Sequence, residues 1–165
     1  MNGYTLKIYN GDKLLDTYNI TANYIEYLEF TDLVVDKTNL VIKNIAVNTI
    51  FNSILDKINT TGEKRIIDSR TGSELSSNDK IKTGDKIEIK MNNKTYTYLI
   101  SVKGDANGDG NININDLIIL SRHITKVNII TENIYMISAD VNDDSNVNIN
   151  DIIKLSKYII KNTEL

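Results

Sequence analysis

Two short segments rich in Asp and Asn constrain the fold of this chain more than any other feature of its sequence. They are GDANGDGNININD, residues 104–116, and ADVNDDSNVNIND, residues 139–151. When Asp105 is aligned with Asp140, the two segments are offset by 35 residues. The apolar residues that follow each segment keep the same register. Chance does not readily produce such agreement, so the repeat predicts two copies of one structural unit.

The oxygen-bearing residues of these segments have the spacing of calcium loops. Calcium takes about six to eight oxygen ligands, which a loop of about twelve residues supplies from positions 1, 3, 5, 7, 9 and 12. Position 6 favours glycine, because the backbone there has a positive φ. We therefore predict two bound Ca²⁺ ions, one in each loop. The predicted ligands are Asp105, Asn107, Asp109, Asn111, Asn113 and Asp116 in the first loop, and Asp140, Asn142, Asp144, Asn146, Asn148 and Asp151 in the second.

A simpler interpretation is that Asn and Asp are frequent in loops because they form turns and cap helices. One such loop could arise in this way, but two in register, each leading into a helical pattern, favour calcium. Position 12 is Asp116 or Asp151, where the EF-hand pattern has Glu. Ser145 replaces the glycine of position 6. A residue other than glycine at positive φ costs about 1 kcal/mol, so the second loop is expected to bind calcium more weakly.

The segment after residue 103 is predicted to be helical. Each loop precedes an apolar stripe with helical spacing; the stripes are Leu117, Leu120, Ile124 and Val127, then Ile152, Leu155 and Ile159. Between them, residues 131–139 predict a short helix with Thr131 as N-cap; Ile134, Ile137 and Ser138 are expected to face inward. A strand-like segment, and no helix, precedes the first loop. Half-EF-hands of this kind have little core, so bound metal should supply much of their folding free energy.

The first part of the chain predicts a small α+β module. Residues 4–20 alternate around Asn10-Gly11, which indicates a β-hairpin. Residues 47–58 have the apolar periodicity of an amphipathic helix. Further strands are predicted over residues 39–45, 63–68, 85–91 and 94–102, with a turn at Asn92-Asn93. We divide the chain into residues 1–103 and 104–165. Residues 1–36 either belong to the first module, form a separate hairpin, or end a preceding module.

Composition excludes several classes of protein and of site. The net charge of −3 disfavours nucleic-acid binding. Residues 104–165 have 9 acidic and 5 basic side chains, which gives this segment a net charge of −4. No cysteine is present for a disulfide or a thiolate site. No apolar run is long enough for membrane insertion. No signal peptide is visible in the sequence. If the protein works outside the cell, we therefore expect this chain to be a mature fragment of a longer one.

The segments GDANGDGNININDLIILSRHI and ADVNDDSNVNINDIIKLSKYI closely resemble the duplicated segments of a dockerin. The resemblance covers residues 104–165. It implies a non-catalytic, calcium-dependent module that docks onto a cohesin. It also implies a secreted, extracellular or cell-surface setting, in which a glycoside hydrolase joins a scaffold for polysaccharide breakdown. The strand and glycine pattern upstream is similar to the small spacer or stabilising modules, of X type, that often precede a dockerin.

The resemblance also implies a partner-binding face, formed by loop positions 10 and 11 and the outward side of the following helix. The residues concerned are Ile114, Asn115, Ser121, Arg122 and Thr125 in the first half, and Ile149, Asn150, Ser156, Lys157 and Ile160 in the second. Many dockerins have a Ser-Thr pair where this chain has Ile-Asn twice, which leaves the preferred cohesin open. Ile114 and Ile149 could instead be core residues, since periodicity alone does not place them.

Two other classes of function compete with docking. Catalysis lacks support, because the only histidine, His123, has no serine or carboxylate constellation to serve. Glycan binding through the first module would need an aromatic platform, yet the chain has no Trp. The tyrosine pairs Tyr96–Tyr98 and Tyr24–Tyr27 more often indicate half-buried packing. The alternative to cohesin docking is a structural cap stabilised by calcium, joined to a glycan-binding N-terminal module.

Overall fold

The computed structural model of the chain describes residues 3–21, 27–161 and 165. Strands dominate the chain up to Val102, and helices follow it. The strands are β1 (Gly3–Asn10), β2 (Lys13–Thr21), β3 (Leu28–Phe30), β4 (Val34–Asp36), β5 (Val41–Ile45), β6 (Ile58–Thr60), β7 (Glu63–Ile67), β8 (Lys86–Met91) and β9 (Lys94–Val102). The helices are α1 (Phe51–Leu55), α2 (Ile114–Ile124), α3 (Asn133–Ala139) and α4 (Ile149–Lys161). No helix in this part of the chain is long and apolar enough to cross a membrane.

The predicted hairpin around Asn10-Gly11 is confirmed. Strands β1 and β2 pair antiparallel, and Gly11 takes a φ of 61° in the turn between them. The hairpin is a two-stranded sheet of its own, and among the described strands neither member is hydrogen-bonded to a third. Residues 34–36, in contrast, pair with β5 and belong to the main sheet.

The main sheet has five strands in the order β4-β5-β9-β8-β7. The long central strand β9 pairs parallel with β5 and antiparallel with β8. The β8–β9 turn is the predicted Asn92-Asn93, with φ values of 39° and 63°, which suit a tight hairpin turn. All four predicted strands are present. The three-residue strands β3, β4 and β6 were missed, because so few residues show no periodicity.

The amphipathic helix predicted over residues 47–58 is wrong in extent, since α1 covers only Phe51–Leu55. At its start, Asn48 has a φ of 64° and Ile50 pairs with Lys80 in an isolated β-bridge. At its end, Ile58 is the first residue of β6. The Lys64 ammonium donates hydrogen bonds to the carbonyl oxygens of Leu55 and Ile58, at 2.7 Å each. Tertiary contacts at both ends therefore override the helical period.

The strand-rich part has its own core, built mainly of isoleucine. Strands β5, β7, β8 and β9 and the short helix α1 contribute fully buried side chains to it. Phe30 and Tyr98 meet edge to face at its margin, with ring centroids 5.1 Å apart. This arrangement agrees with the predicted packing role of Tyr98.

A second, smaller core holds the three later helices together. Its fully buried centre is Leu120 of α2 and Leu155 of α4, both from the predicted stripes. Val127 lies beyond the end of α2 and is 76% exposed, so its place in the first stripe is wrong. Thr131 is also not the N-cap of α3, because that position is Glu132, which makes no side-chain cap.

Candidate metal loops and partner-binding face

The first predicted loop closes on its own backbone amides. Asp105 Oδ1 accepts from the N–H of Asp109 at 3.0 Å, and Oδ2 accepts from that of Gly110 at 3.2 Å. Asp116 accepts from the N–H groups of Asn107 and Asn113, at 3.2 and 2.9 Å. Both carboxylates are fully buried. These hydrogen bonds hold the first and last residues of the loop against its own backbone.

The second predicted loop repeats this pattern contact for contact. Asp140 accepts from the N–H groups of Asp144 and Ser145, at 3.1 and 2.8 Å. Asp151 accepts from those of Asn142 and Asn148, at 3.2 and 2.9 Å. The repeat seen in the sequence is therefore also a repeat of geometry.

The end of the first loop forms the start of the helix after it. Asn113 is the N-cap of α2 and accepts from the N–H of Asn115 at 2.8 Å, while Asp116 completes a capping box. In the second loop Asn148 accepts from the N–H of Asn150 at 2.9 Å. Position 9 of a calcium loop often acts through water, which is compatible with a side chain used as a cap.

The electrostatics of the first loop favour a cation. Burial raises the pKa of Asp105. Burial, followed by the charges of Asp105 and Asp109, raises the pKa of Asp116 to about 6, against the lowering effect of its N–H donors. Removing a carboxylate from water beside other carboxylates is unfavourable without a compensating positive charge. A bound cation would supply that charge.

The donor set suits calcium, although the acidic groups do not converge by themselves. Among the described residues, no three His, Cys, Asp or Glu side chains form a metal-binding group. The Asn107 amide donates to Asp109 Oδ2 at 2.8 Å, and the Asn142 amide donates to Asp144 in the same way. The set of carboxylate, amide and carbonyl oxygens, with the carboxylates of Asp105, Asp116 and Asp151 buried, still fits a hard cation. The ligands and the number of two ions stay predictions.

Two positions distinguish the second loop from the first. Ser145 has a φ of 67°, where Gly110 has 79°, so the expected left-handed conformation at Ser145 is present. The sequence analysis missed Asp143, which has a φ of 60° where the first loop has Gly108. The alignment of Asp143 with Gly108 was the signal that could have revealed it.

The predicted partner-binding face is exposed. Ile114 and Ile149 are each 56% exposed at the starts of α2 and α4, so the alternative that they belong to the core is wrong. Ile118 and Ile153 lie one turn further on and are also exposed; the sequence analysis did not include them. Their i, i+4 spacing was the available signal. The remaining predicted face residues are all exposed except the half-buried Ser156: Asn115, Ser121, Arg122, Thr125, Asn150, Lys157 and Ile160.

Comparison with known families agrees with this arrangement of loops and helices. The family model described as the dockerin type I domain matches residues 103–160. A C-terminal dockerin is therefore confirmed. No curated protein and no solved structure matches the chain. The strand-rich part, up to Val102, lies outside the matched residues.

The candidate residues for other functions have structural roles. His123 accepts at Nδ1 from the N–H of Ile130 at 3.0 Å, which ties the segment after α2 back to that helix. Tyr98 is buried, and Tyr96 is half-buried against the same core. The Tyr27 hydroxyl donates to the Asn59 side chain at 3.2 Å. Tyr24 lies outside the described residues.

Proposed function

We propose that this chain carries a calcium-dependent docking module whose partner is a cohesin domain. The match of residues 103–160 to the dockerin type I family carries the proposal. The dockerin family is non-catalytic and links proteins to cohesins in cellulosome-like complexes. The exposed apolar face on α2 and α4 supports the proposal, because buried apolar contacts at the centre of an interface usually dominate its binding energy.

Calcium would have a structural role in this function. We assign one ion to each loop, held by the predicted ligands. Its charge would compensate the buried carboxylates Asp105 and Asp116 and their counterparts Asp140 and Asp151. Because the last ligand of each loop lies in the first turn of the following helix, the ion would also fix the orientation of that helix. Docking would then depend on calcium.

The partner-binding face has an apolar and a polar part. Ile114 and Ile118 on α2 correspond to Ile149 and Ile153 on α4, and all four are exposed. Exposed Arg122 and Lys157 extend the face along the two helices. We assign the apolar residues as anchors and the charged ones as determinants of orientation.

The setting of the module follows from the dockerin. We divide the chain into a spacer of X type, residues 1–103, and the docking domain, residues 104–165. The proposed location is extracellular or at the cell surface. We propose that the protein that carries the domain is a carbohydrate-active enzyme, a glycoside hydrolase, and that the present chain is its non-catalytic part.

The first test is binding of the full chain to a panel of purified type I cohesins by surface plasmon resonance, with calcium and with EDTA. We expect at least one cohesin to bind in calcium and none in EDTA. The double variant Ile114→Asp, Ile149→Asp should lose binding by about 100-fold or more, since it removes two central apolar contacts. Val127→Asp is the matched control, because Val127 is an exposed apolar residue of the same domain and is not one of the predicted face residues.

Binding that survives EDTA, or a Val127→Asp variant as weak as the double variant, would contradict the proposed role. Failure of every cohesin to bind a calcium-loaded chain would instead favour a calcium-stapled structural cap. Contacts between the loops and the strand-rich part support the structural cap as a second candidate function. The Asn44 side chain donates to Asp143 at 3.3 Å, and the N–H of Thr83 donates to Asp105 at 2.9 Å.

A further inference from the structure

We propose that the turn at residues 82–85, in the strand-rich part of the chain, is a positioning element of the first metal loop. The inference rests on the proposed calcium function and assigns part of one site to residues outside the dockerin. The N–H of Thr83 donates to Asp105 Oδ2 at 2.9 Å, and both residues are fully buried. Asp105 is the predicted first ligand of that loop. A backbone donor from another part of the molecule thus helps to orient a metal ligand.

The donor at Thr83 is itself rigidly held. Thr83 Oγ1 accepts from the N–H of Val102 at 3.1 Å and donates to its carbonyl oxygen at 3.2 Å. The N–H of Gly84 donates to the Ile100 carbonyl at 2.9 Å. All three bonds attach the turn to β9, which leads directly into the first loop. The position of the Asp105 carboxylate is therefore coupled to the main sheet.

Glycines permit the close approach of the turn and the loop. A Cβ on Gly108 would lie 2.8 Å from Tyr135 Cε1 and 2.9 Å from the Thr83 carbonyl oxygen. A Cβ on Gly84, on the other side of the contact, would lie 3.1 Å from Tyr135 Oη. At Gly108 the nearby backbone oxygen leaves no room for a side chain, and at Gly84 an added side chain would crowd the Tyr135 hydroxyl. The close packing around Tyr135 therefore depends on a glycine in the turn and on another in the first loop.

The second loop has no equivalent arrangement. Within the described residues, the hydrogen bonds to the Asp140 carboxylate come from Asp144 and Ser145 of its own loop. That loop contacts the strand-rich side through the Asp143 side chain, which pairs with Lys103 and accepts from Asn44 at 3.3 Å. Asp143 is not one of the predicted ligands. The dependence on the 82–85 turn should therefore be confined to the first loop.

The coupling has two consequences. Groups that orient metal ligands typically change affinity by about 10- to 100-fold when removed, so loosening the turn should weaken calcium binding at the first loop. Binding and folding are linked in both directions, so calcium should also protect the turn. Ordinary packing between two domains would change stability without a selective effect on one loop.

The test uses the full chain with one loop disabled at a time. Asp140→Asn leaves the first loop to bind, and Asp105→Asn leaves the second. Thr83→Val removes the hydroxyl that anchors the turn, and Gly84→Ala forces the turn away from Tyr135. Gly72→Ala is the control for left-handed strain, because Gly72 has a φ of 70° and nothing within 4 Å of an added Cβ.

We expect calorimetric titration to show calcium binding to the first loop weakened about tenfold by Thr83→Val and by Gly84→Ala. Binding to the second loop should not change, and Gly72→Ala should affect neither loop. Circular dichroism checks that each variant is folded. Unchanged affinity at the first loop in both variants would overturn the proposal.

Hydrogen exchange on the unmodified chain gives a readout that does not depend on the variants. Calcium should slow exchange of the Thr83 amide by about tenfold, as expected if that amide opens together with the loop. Bound calcium with no change at Thr83 would also overturn the proposal. If the unmodified chain binds no calcium, the calcium function itself fails, and that outcome is known before any variant is measured.

Discussion

Two residues of the second loop, Asp143 and Ser145, adopt the left-handed backbone that the first loop assigns to Gly108 and Gly110. Each costs about 1 kcal/mol relative to glycine. Asp143 recovers part of this cost through its ion pair with Lys103 at 2.5 Å. The bonds found for Ser145 involve only its backbone N–H, so its strain has no visible compensation among the described contacts.

At this scale we predict that Ser145→Gly tightens calcium binding by the second loop about fivefold, the factor that corresponds to about 1 kcal/mol. Calorimetry on the Asp105→Asn background measures this loop alone. The reciprocal change Gly110→Ser should weaken the first loop by more than fivefold, because an added Cβ would also lie 3.3 Å from Lys82 Cβ. Equal affinity before and after Ser145→Gly would show that the strain is not expressed in binding.

At the scale of elements, one largely buried ion pair joins the turn after β7 to the turn before β8. Lys82 Nζ lies 2.5 Å from Asp68 Oδ2, and both side chains are largely buried. Asp68 also accepts from the N–H groups of Arg70 and Thr71, at 2.8 and 2.9 Å. Burial acts to raise the pKa of Asp68, but Lys82 and the two backbone donors outweigh it and bring the pKa to about 2.

We predict that this pair stabilises the strand-rich part at neutral pH and fails in acid. The folded pKa of about 2 lies below the ordinary value of 3.8, so the stabilisation is complete above about pH 5 and is lost as the pH falls toward 2. Asp68→Asn should lower the free energy of unfolding by about 2 kcal/mol at pH 7, and by roughly half as much at pH 3, which lies between the two pKa values.

Chemical denaturation at the two pH values measures the difference for Asp68. The exposed Asp56→Asn serves as control and should change stability little at either pH. An Asp68→Asn effect of the same size at pH 7 and pH 3 would exclude the pair as its source.

At the scale of the whole molecule, two cores of unequal size share one chain. The strand-rich core has many fully buried isoleucines, whereas in the dockerin core the fully buried side chains larger than alanine are Leu120, Val141 and Leu155 among the described apolar residues. A core so small supplies limited folding free energy. Bound metal would supply the remainder.

We therefore predict that removing calcium loosens the two halves unequally. Hydrogen-exchange mass spectrometry in EDTA should show strong loss of protection in α2 and α4, and little loss in β8 and β9. Saturation to 100 times the dissociation constant contributes about 2.7 kcal/mol per ion, which is large for a domain of this size. Equal protection of α2 and α4 with and without calcium would mean that the dockerin folds on its apolar contacts alone.

Much of this architecture could be predicted from the sequence because it depends on neighbouring residues. The Asn10-Gly11 and Asn92-Asn93 turns and the long strand β9 follow from turn chemistry and period-2 alternation. The dockerin loops follow from oxygens at fixed spacing with a helix after them. In each case the determining residues lie within one short segment.

The sequence by itself determined the two loops, the helices after them and the longer strands before them, since local spacing specifies each. Only the tertiary structure decided how far α1 extends, because the Ile50–Lys80 bridge and the Lys64 contacts end it from a distance. It also decided that Ile114 is exposed and that Thr83 reaches Asp105. These features depend on which residues the folded chain brings together, and no local pattern encodes those contacts.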